Sequence, residues 1–164
     1  MSSPLAARRH LRVVAPDDQP AVGWFCGRCA ERFDAPESAA VPRVCPSCSL
    51  GMVLQAPASA IPTREDSYLV VDSSLNVQAV SAHAERTLGV LEDRAVNRHV
   101  TEVLIPGDAE PNTAGGLAAA ITAAAAGEER EERVAVRPSN TFGIRMLARI
   151  VACGPPRAAL IVLD

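Results

Sequence analysis

A chain of 164 residues with a formal net charge of −3 has room for one ordinary domain, or for a small domain joined to a stapled mini-domain. It lacks the basic excess of a non-specific nucleic-acid binder. Hydrophobic residues make up 48% and charged residues 21%, which suffices for a packed core, and no run approaches the ~18 apolar residues of a membrane span.

The N-terminal stretch MSSPLAARRHLRVV carries basic residues with no apolar h-region after them, so no secretory leader is expected and the cytoplasm is the expected location. All basic residues are arginine, which with the abundant alanine suggests GC-rich bacterial coding. Residues 1–20 are polar and proline-punctuated, and read as a flexible tail; a short strand at LRVV (11–14) is the competing reading. Residues 21–57 hold four of the five cysteines but few large apolar groups, chiefly Trp24, Phe25, Phe33, Met52, Val53 and Leu54. A unit that small needs a staple. Residues 58–65, with Pro62 and small polar neighbours, read as a linker.

From residue 66 onward the elements follow one another clearly. SYLVVD predicts a strand over 67–72, SSLN a turn, and VQAVS a second strand over 77–81. AHAERTLGV (82–90) predicts a short helix ended by Gly89. VNRHVTEVLI (96–105) predicts another before Pro106, and Asn112 or Thr113 is placed to cap a third that Gly127 ends. Three strand-like runs follow, over 131–138, 141–152 and 157–164, separated by turns at PSNTFG and CGPPR. The order is ββααα then βββ, an α+β fold with a largely antiparallel sheet.

Cys26, Cys29, Cys45 and Cys48 form C-x2-C, a gap of 15 residues, and C-x2-C. Two residues between thiolates let one tight knuckle aim both sulfurs at one ion, and a second knuckle completes a tetrahedron. The residues Trp24-Phe25-Cys26-Gly27-Arg28-Cys29 and Cys45-Pro46-Ser47-Cys48 resemble the zinc-ribbon and rubredoxin-like knuckle families. That resemblance implies structural Zn2+, with iron as chemical competitor. Rubredoxins surround iron with several aromatics, whereas this chain has 3%, which favours zinc. A closed four-thiolate site has no open position for catalysis. Arg28, Arg32 and Arg43 are matched by Glu31, Asp34 and Glu37, and four thiolates add negative charge. The module should therefore contact protein rather than phosphate.

Residues 66–164 resemble the PAS family. The carrying residues are Leu69-Val70-Val71-Asp72 with the turn at 73–76, Ala79-Val80-Ser81, Ala84-Glu85, Leu88-Gly89, the run His99 to Leu104, and the closing Ala159 to Asp164. Ser81 stands where the family usually shows asparagine. The resemblance implies a five-stranded antiparallel sheet whose helices enclose a pocket, with Leu104, Leu117, Ile121, Ile144, Met146 and Ile150 as candidate lining residues. In the long strand Ile144, Met146, Ala148 and Ile150 alternate with Arg145 and Arg149, and Leu117, Ile121 and Ala124 recur at helical spacing. The stretch 107–112 lacks the cysteine of flavin-binding members, and residues 113–127 lack an axial histidine, so neither flavin nor haem is expected.

The first and last strands of this region are apolar at every position, where one face of an open antiparallel sheet usually meets water. Their outer face should be covered by a second copy of the chain or by the cysteine module, with Leu69, Val71, Ile161 and Leu163 as candidate interface residues and a homodimer as the expected assembly. No nucleophile–base pair or phosphate loop is present. The sequence thus points to a non-catalytic sensory or interaction protein, sensing a small ligand or dimerising through the PAS-like part and meeting a protein partner through the ribbon. The competing reading is a transcription-associated adaptor whose ribbon and Arg8, Arg9 and Arg12 touch nucleic acid or polymerase.

Overall fold

The computed structural model describes residues 21–34, 41–107 and 114–164. The N-terminal tail, with the candidate strand at 11–14 and its three arginines, lies outside the described residues, as do the candidate caps Asn112 and Thr113.

Two antiparallel sheets make up the molecule. The cysteine module is a three-stranded sheet ordered β2-β1-β3, from β1 (Val22–Cys26), β2 (Arg32–Phe33) and β3 (Val53–Pro57). In the second sheet the strands are β4 (Ser67–Asp72), β5 (Val77–Val80), β6 (Leu104–Pro106), β7 (Glu132–Pro138), β8 (Met146–Cys153) and β9 (Ala158–Leu163), ordered β5-β4-β9-β8-β7-β6. The long pairings are sequential hairpins except β4 with β9, which brings Leu69 opposite Ile161 and Val70 opposite Leu160. Three helices lie between the strands: α1 (Ala82–Leu88), α2 (Glu92–Ala95) and α3 (Ala114–Ala126).

The sheet has six strands where five were expected. The extra one, β6, comes from the end of the segment predicted as helix over 96–105. There the chain makes only one 3-10 turn, Val100–Glu102, entered from an extended His99 whose ring accepts the Thr101 N–H at 3.4 Å. Leu104–Pro106 then pairs with β7. Proline has no N–H to donate, and an edge strand is where a sheet tolerates that. The short helix expected in this region is displaced upstream, to Glu92–Ala95.

The strand expected over 141–152 begins only at Met146, whereas around α1 and the β4–β5 turn local chemistry sets the boundaries as read. Ser81 accepts the Ala84 N–H at 3.1 Å as the N-cap of α1. Its hydroxyl also accepts the Tyr68 N–H at 3.1 Å and donates to the Asp66 carbonyl at 2.9 Å, tying the helix start to β4. Gly89, with φ 63°, closes α1 in the left-handed conformation that glycine adopts without strain. Ser74 and Asn76 donate backbone N–H groups to the Asp72 carboxylate, shaping the β4–β5 turn.

Parity along the strands divides the core in two. Leu69, Val71, Ile161 and Leu163 point inward with Leu104, Leu117, Ile121, Val136 and Ile150, beneath the helices. Tyr68, Val70, Leu160 and Val162 point outward, where Phe25, Leu54, Ala56, Ala60 and Ile61 meet them in a second apolar cluster. The uniformly apolar strands therefore have both faces covered within one chain, and the module is what covers the outer one. Leu69, Val71, Ile161 and Leu163, named above as interface candidates, belong to the inner core instead. A run apolar at every position carries no sign of which parity faces which layer.

Two further contacts fix the module. Gln55 of β3 and Gly154 exchange backbone hydrogen bonds of 2.6 and 3.0 Å. Residues 58–61 are part of the junction rather than a free spacer, since Ala60 and Ile61 are buried. Among the described residues no helix is long and apolar enough to cross a membrane.

Candidate metal centre

Both knuckles are built alike. In the first, the Ala30 N–H reaches back to the Cys26 carbonyl at 3.0 Å, and in the second Ser49 does the same to Cys45 at 2.9 Å. Ala30 and Ser49 both adopt positive φ, 57° and 58°, the twist that turns each loop past its second sulfur. The strand backbone clasps the loops, with Cys26 N–H to the Glu31 carbonyl and Cys45 N–H to the Gly51 carbonyl, both 2.8 Å.

The knuckles bring all four sulfurs to one point, every pair within 4.8 Å. Cys26 and Cys48 are 3.7 Å apart, and Cys29 and Cys45 3.8 Å. Four thiolates about 2.3 Å from a tetrahedral ion stand about 3.8 Å from one another, so the spacing fits an ion of zinc's size with all-sulfur ligation. Backbone N–H groups solvate the sulfurs: Arg28 and Cys29 donate to Cys26 at 3.4 and 3.5 Å, and Gly51 donates to Cys48 at 3.3 Å.

Electrostatics differ around the cluster. Burial pushes the Cys26 and Cys29 thiols upward. At Cys48 burial acts in the same direction but is outweighed by N–H donors at Leu50 and Gly51 and by the Cys26 and Cys45 side chains, which bring it down to about 6. Without a cation Cys26 and Cys29 hold their protons. A bound dication would displace them, so metal uptake and proton release are coupled here.

Gly51 is the residue that sequence reasoning passed over. A Cβ there would lie 2.2 Å from the Cys26 sulfur and 2.8 Å from the Arg28 Cβ. Its position three residues after the last cysteine is the sequence signal, because a second knuckle must fold back tightly against the first. Arg28 lies within the first knuckle, and its Nε donates to Glu92 at the start of α2, 2.7 Å away. This link between module and helix has no signature in the sequence, since 64 positions separate the partners.

The remaining predicted residues are dispersed differently. Leu104, Leu117, Ile121 and Ile150 pack together in the inner core, with Met146 against its edge. Ile144 lies before β8 begins and is exposed, so it does not share their layer. Cys153 is buried at the junction, where burial pushes its thiol up to about 12. His83, on α1, and His99, at the start of the 3-10 turn, are half-buried, with ring nitrogens against Arg86 and Thr101.

No family model matches the chain, and no curated protein matches it. Among solved structures it is similar to the photoactive yellow protein domain of the sensor histidine kinase Ppr from Rhodospirillum centenum. The TM-score is 0.44 and the identity 15%, with 61% of this chain and 84% of that chain covered.

Proposed function

We propose that this protein is a non-catalytic sensory or interaction module, a PAS-like sheet domain carrying a structural zinc ribbon that meets a protein partner. The observation that carries the reading is the convergence of four sulfurs at tetrahedral spacing in a small sheet whose other face is sealed onto the domain by an apolar cluster. The metal folds the ribbon, and the ribbon covers the outer face of β4 and β9.

An all-sulfur, closed donor set suits zinc and leaves no coordination position for a substrate. The antiparallel sheet with its helices on the inner face, together with the Asp72 turn, supports the PAS-like reading. The ribbon exposes apolar groups, Val44, Leu50 and Met52, as a protein partner would require.

Native mass spectrometry of the purified chain, compared with its denatured mass, tests the proposal. One zinc per chain is expected, lost on denaturation. An extra small mass would add a sensed ligand, and a doubled mass would add the dimer. A metal-free native chain, or one whose colour and mass report iron, would overturn the zinc assignment.

A further inference from the structure

The module covers only part of the outer face of the large sheet. The apolar junction runs over Tyr68, Val70, Leu160, Val162, Val151 and Cys153 and stops there. Farther along the same face of β7 and β8, register places Arg133 opposite Arg149 and Ala135 opposite Leu147. Ile105 of β6 lies opposite Arg137. Arg133 and Leu147 are exposed. In the connecting turn Phe142 is 89% exposed and Ile144 is 43% exposed.

Two like charges directly opposite on a sheet are destabilising. Here the pair is held by flanking carboxylates: Glu131 accepts from Arg133 and Asp164 from Arg149, each at 2.8 Å. Arg137 adds a third guanidinium, placed 5.5 Å from the Phe142 ring centroid. In a chain of net charge −3, three arginines share one strip of sheet with aliphatic groups between them. Setting Arg133 opposite Arg149 goes against local pairing preference, and such departures from local rules concentrate where a protein does its work.

We infer that this strip of β7 and β8 is a docking surface for an acidic, leucine-containing segment of a partner protein. Its carboxylates would take over the guanidinium groups, and its aliphatic side chains would cover Ile105, Ala135 and Leu147. The surface chemistry favours protein over nucleic acid. Two of the three arginines already sit in carboxylate pairs, the ground between them is aliphatic, and the one nearby aromatic already faces Arg137. The surface is separate from the ribbon and holds whether or not the ribbon's own partner reading does.

Titration of the zinc-loaded, isotope-labelled full chain with a short synthetic peptide of alternating leucine and glutamate, followed by amide NMR, tests the inference. Shifts are expected at Arg133–Arg137 and Leu147–Arg149, with affinity falling about fivefold or more when the peptide's glutamates become glutamine. Arg133→Glu separates docking from folding. It loses the ion pair with Glu131 but gains an attraction to Arg149 across the strands, so thermal stability should hold while peptide affinity falls by about fivefold or more. Arg137→Glu should weaken binding similarly. Absent or scattered shifts, variants that bind as well as the parent chain, or tighter binding of a single-stranded oligonucleotide at the same strip would each overturn it.

Discussion

At Gly51 the constraint is space rather than backbone conformation. The chain passes so close to the Cys26 sulfur that a single methyl group would overlap it at 2.2 Å. Gly51→Ala should therefore push one knuckle off the other, and the metal affinity should fall by at least about tenfold, the scale seen when the groups supporting a ligand set are disturbed. Competition with a chromophoric chelator measures it, and an unchanged affinity would show that the knuckles reseat freely. Cys153 behaves in the opposite way, as an inert buried thiol. Its folded value, pushed up to about 12, stands above the ordinary 9.0, so its contribution to stability is complete below pH 9 and is lost as pH rises toward 12. Between those limits the unfolded chain sheds a proton that the folded chain keeps, a loss of about 1.4 kcal/mol per pH unit. Denaturant titrations of the parent chain and Cys153→Ala should diverge in slope above pH 9. The same burial predicts that Cys153 escapes alkylation at neutral pH until the chain unfolds.

At the scale of elements, β4 and β9 form the boundary between the two cores, and the residues on their two faces do different jobs. Leu160 is fully buried toward the module, so Leu160→Ala should destabilise by about 2–4 kcal/mol. The same change at Ile161, on the inner side, should cost a similar amount. Only the first should loosen the module, visible as faster amide exchange in β3 at unchanged exchange in α3. The strands themselves were legible, because SYLVVD and RAALIVLD are short apolar runs bounded by turn residues. Their facing was not, since both faces are buried and alternation vanishes. The strand Leu104–Pro106 was illegible for another reason: three residues are too few to show a period, and the preceding VNRHVTEV has helical spacing that the extended His99 and a single 3-10 turn override. The convergence of the four cysteines was legible, because knuckle geometry fixes their spacing in sequence as well as in space. Arg28 to Glu92 and Tyr68 beneath Cys26 depend on how the module docks, which no local pattern records.

For the whole molecule, the cysteine module and the large sheet share one apolar layer. Phe25 and Leu54 belong to the module's strands and are 0% and 1% exposed only because they rest on Tyr68, Val70 and Leu160. The module has little else to hold it: two-residue β2, a small cluster around Cys26, Cys45 and Val53, and the four-sulfur site with the metal proposed for it. Removing the metal restores protons to Cys26 and Cys29 and takes away the cross-link between knuckles, so β1 to β3 should lose their order. The large sheet has its own inner core of leucine, isoleucine and valine beneath three helices, and should survive. Its outer face would then expose Val70, Leu160 and Val162 in one contiguous patch, a surface that drives association. Chelation should therefore abolish amide protection in residues 53–57 while protection in β4 and β9 persists, and light scattering should show the chain associating. Sulfurs substituted by serine at Cys26 and Cys45 should reproduce both effects without chelator. Retained protection in β3 after metal loss would mean that the apolar junction alone folds the module, and the metal would then need a role other than structural.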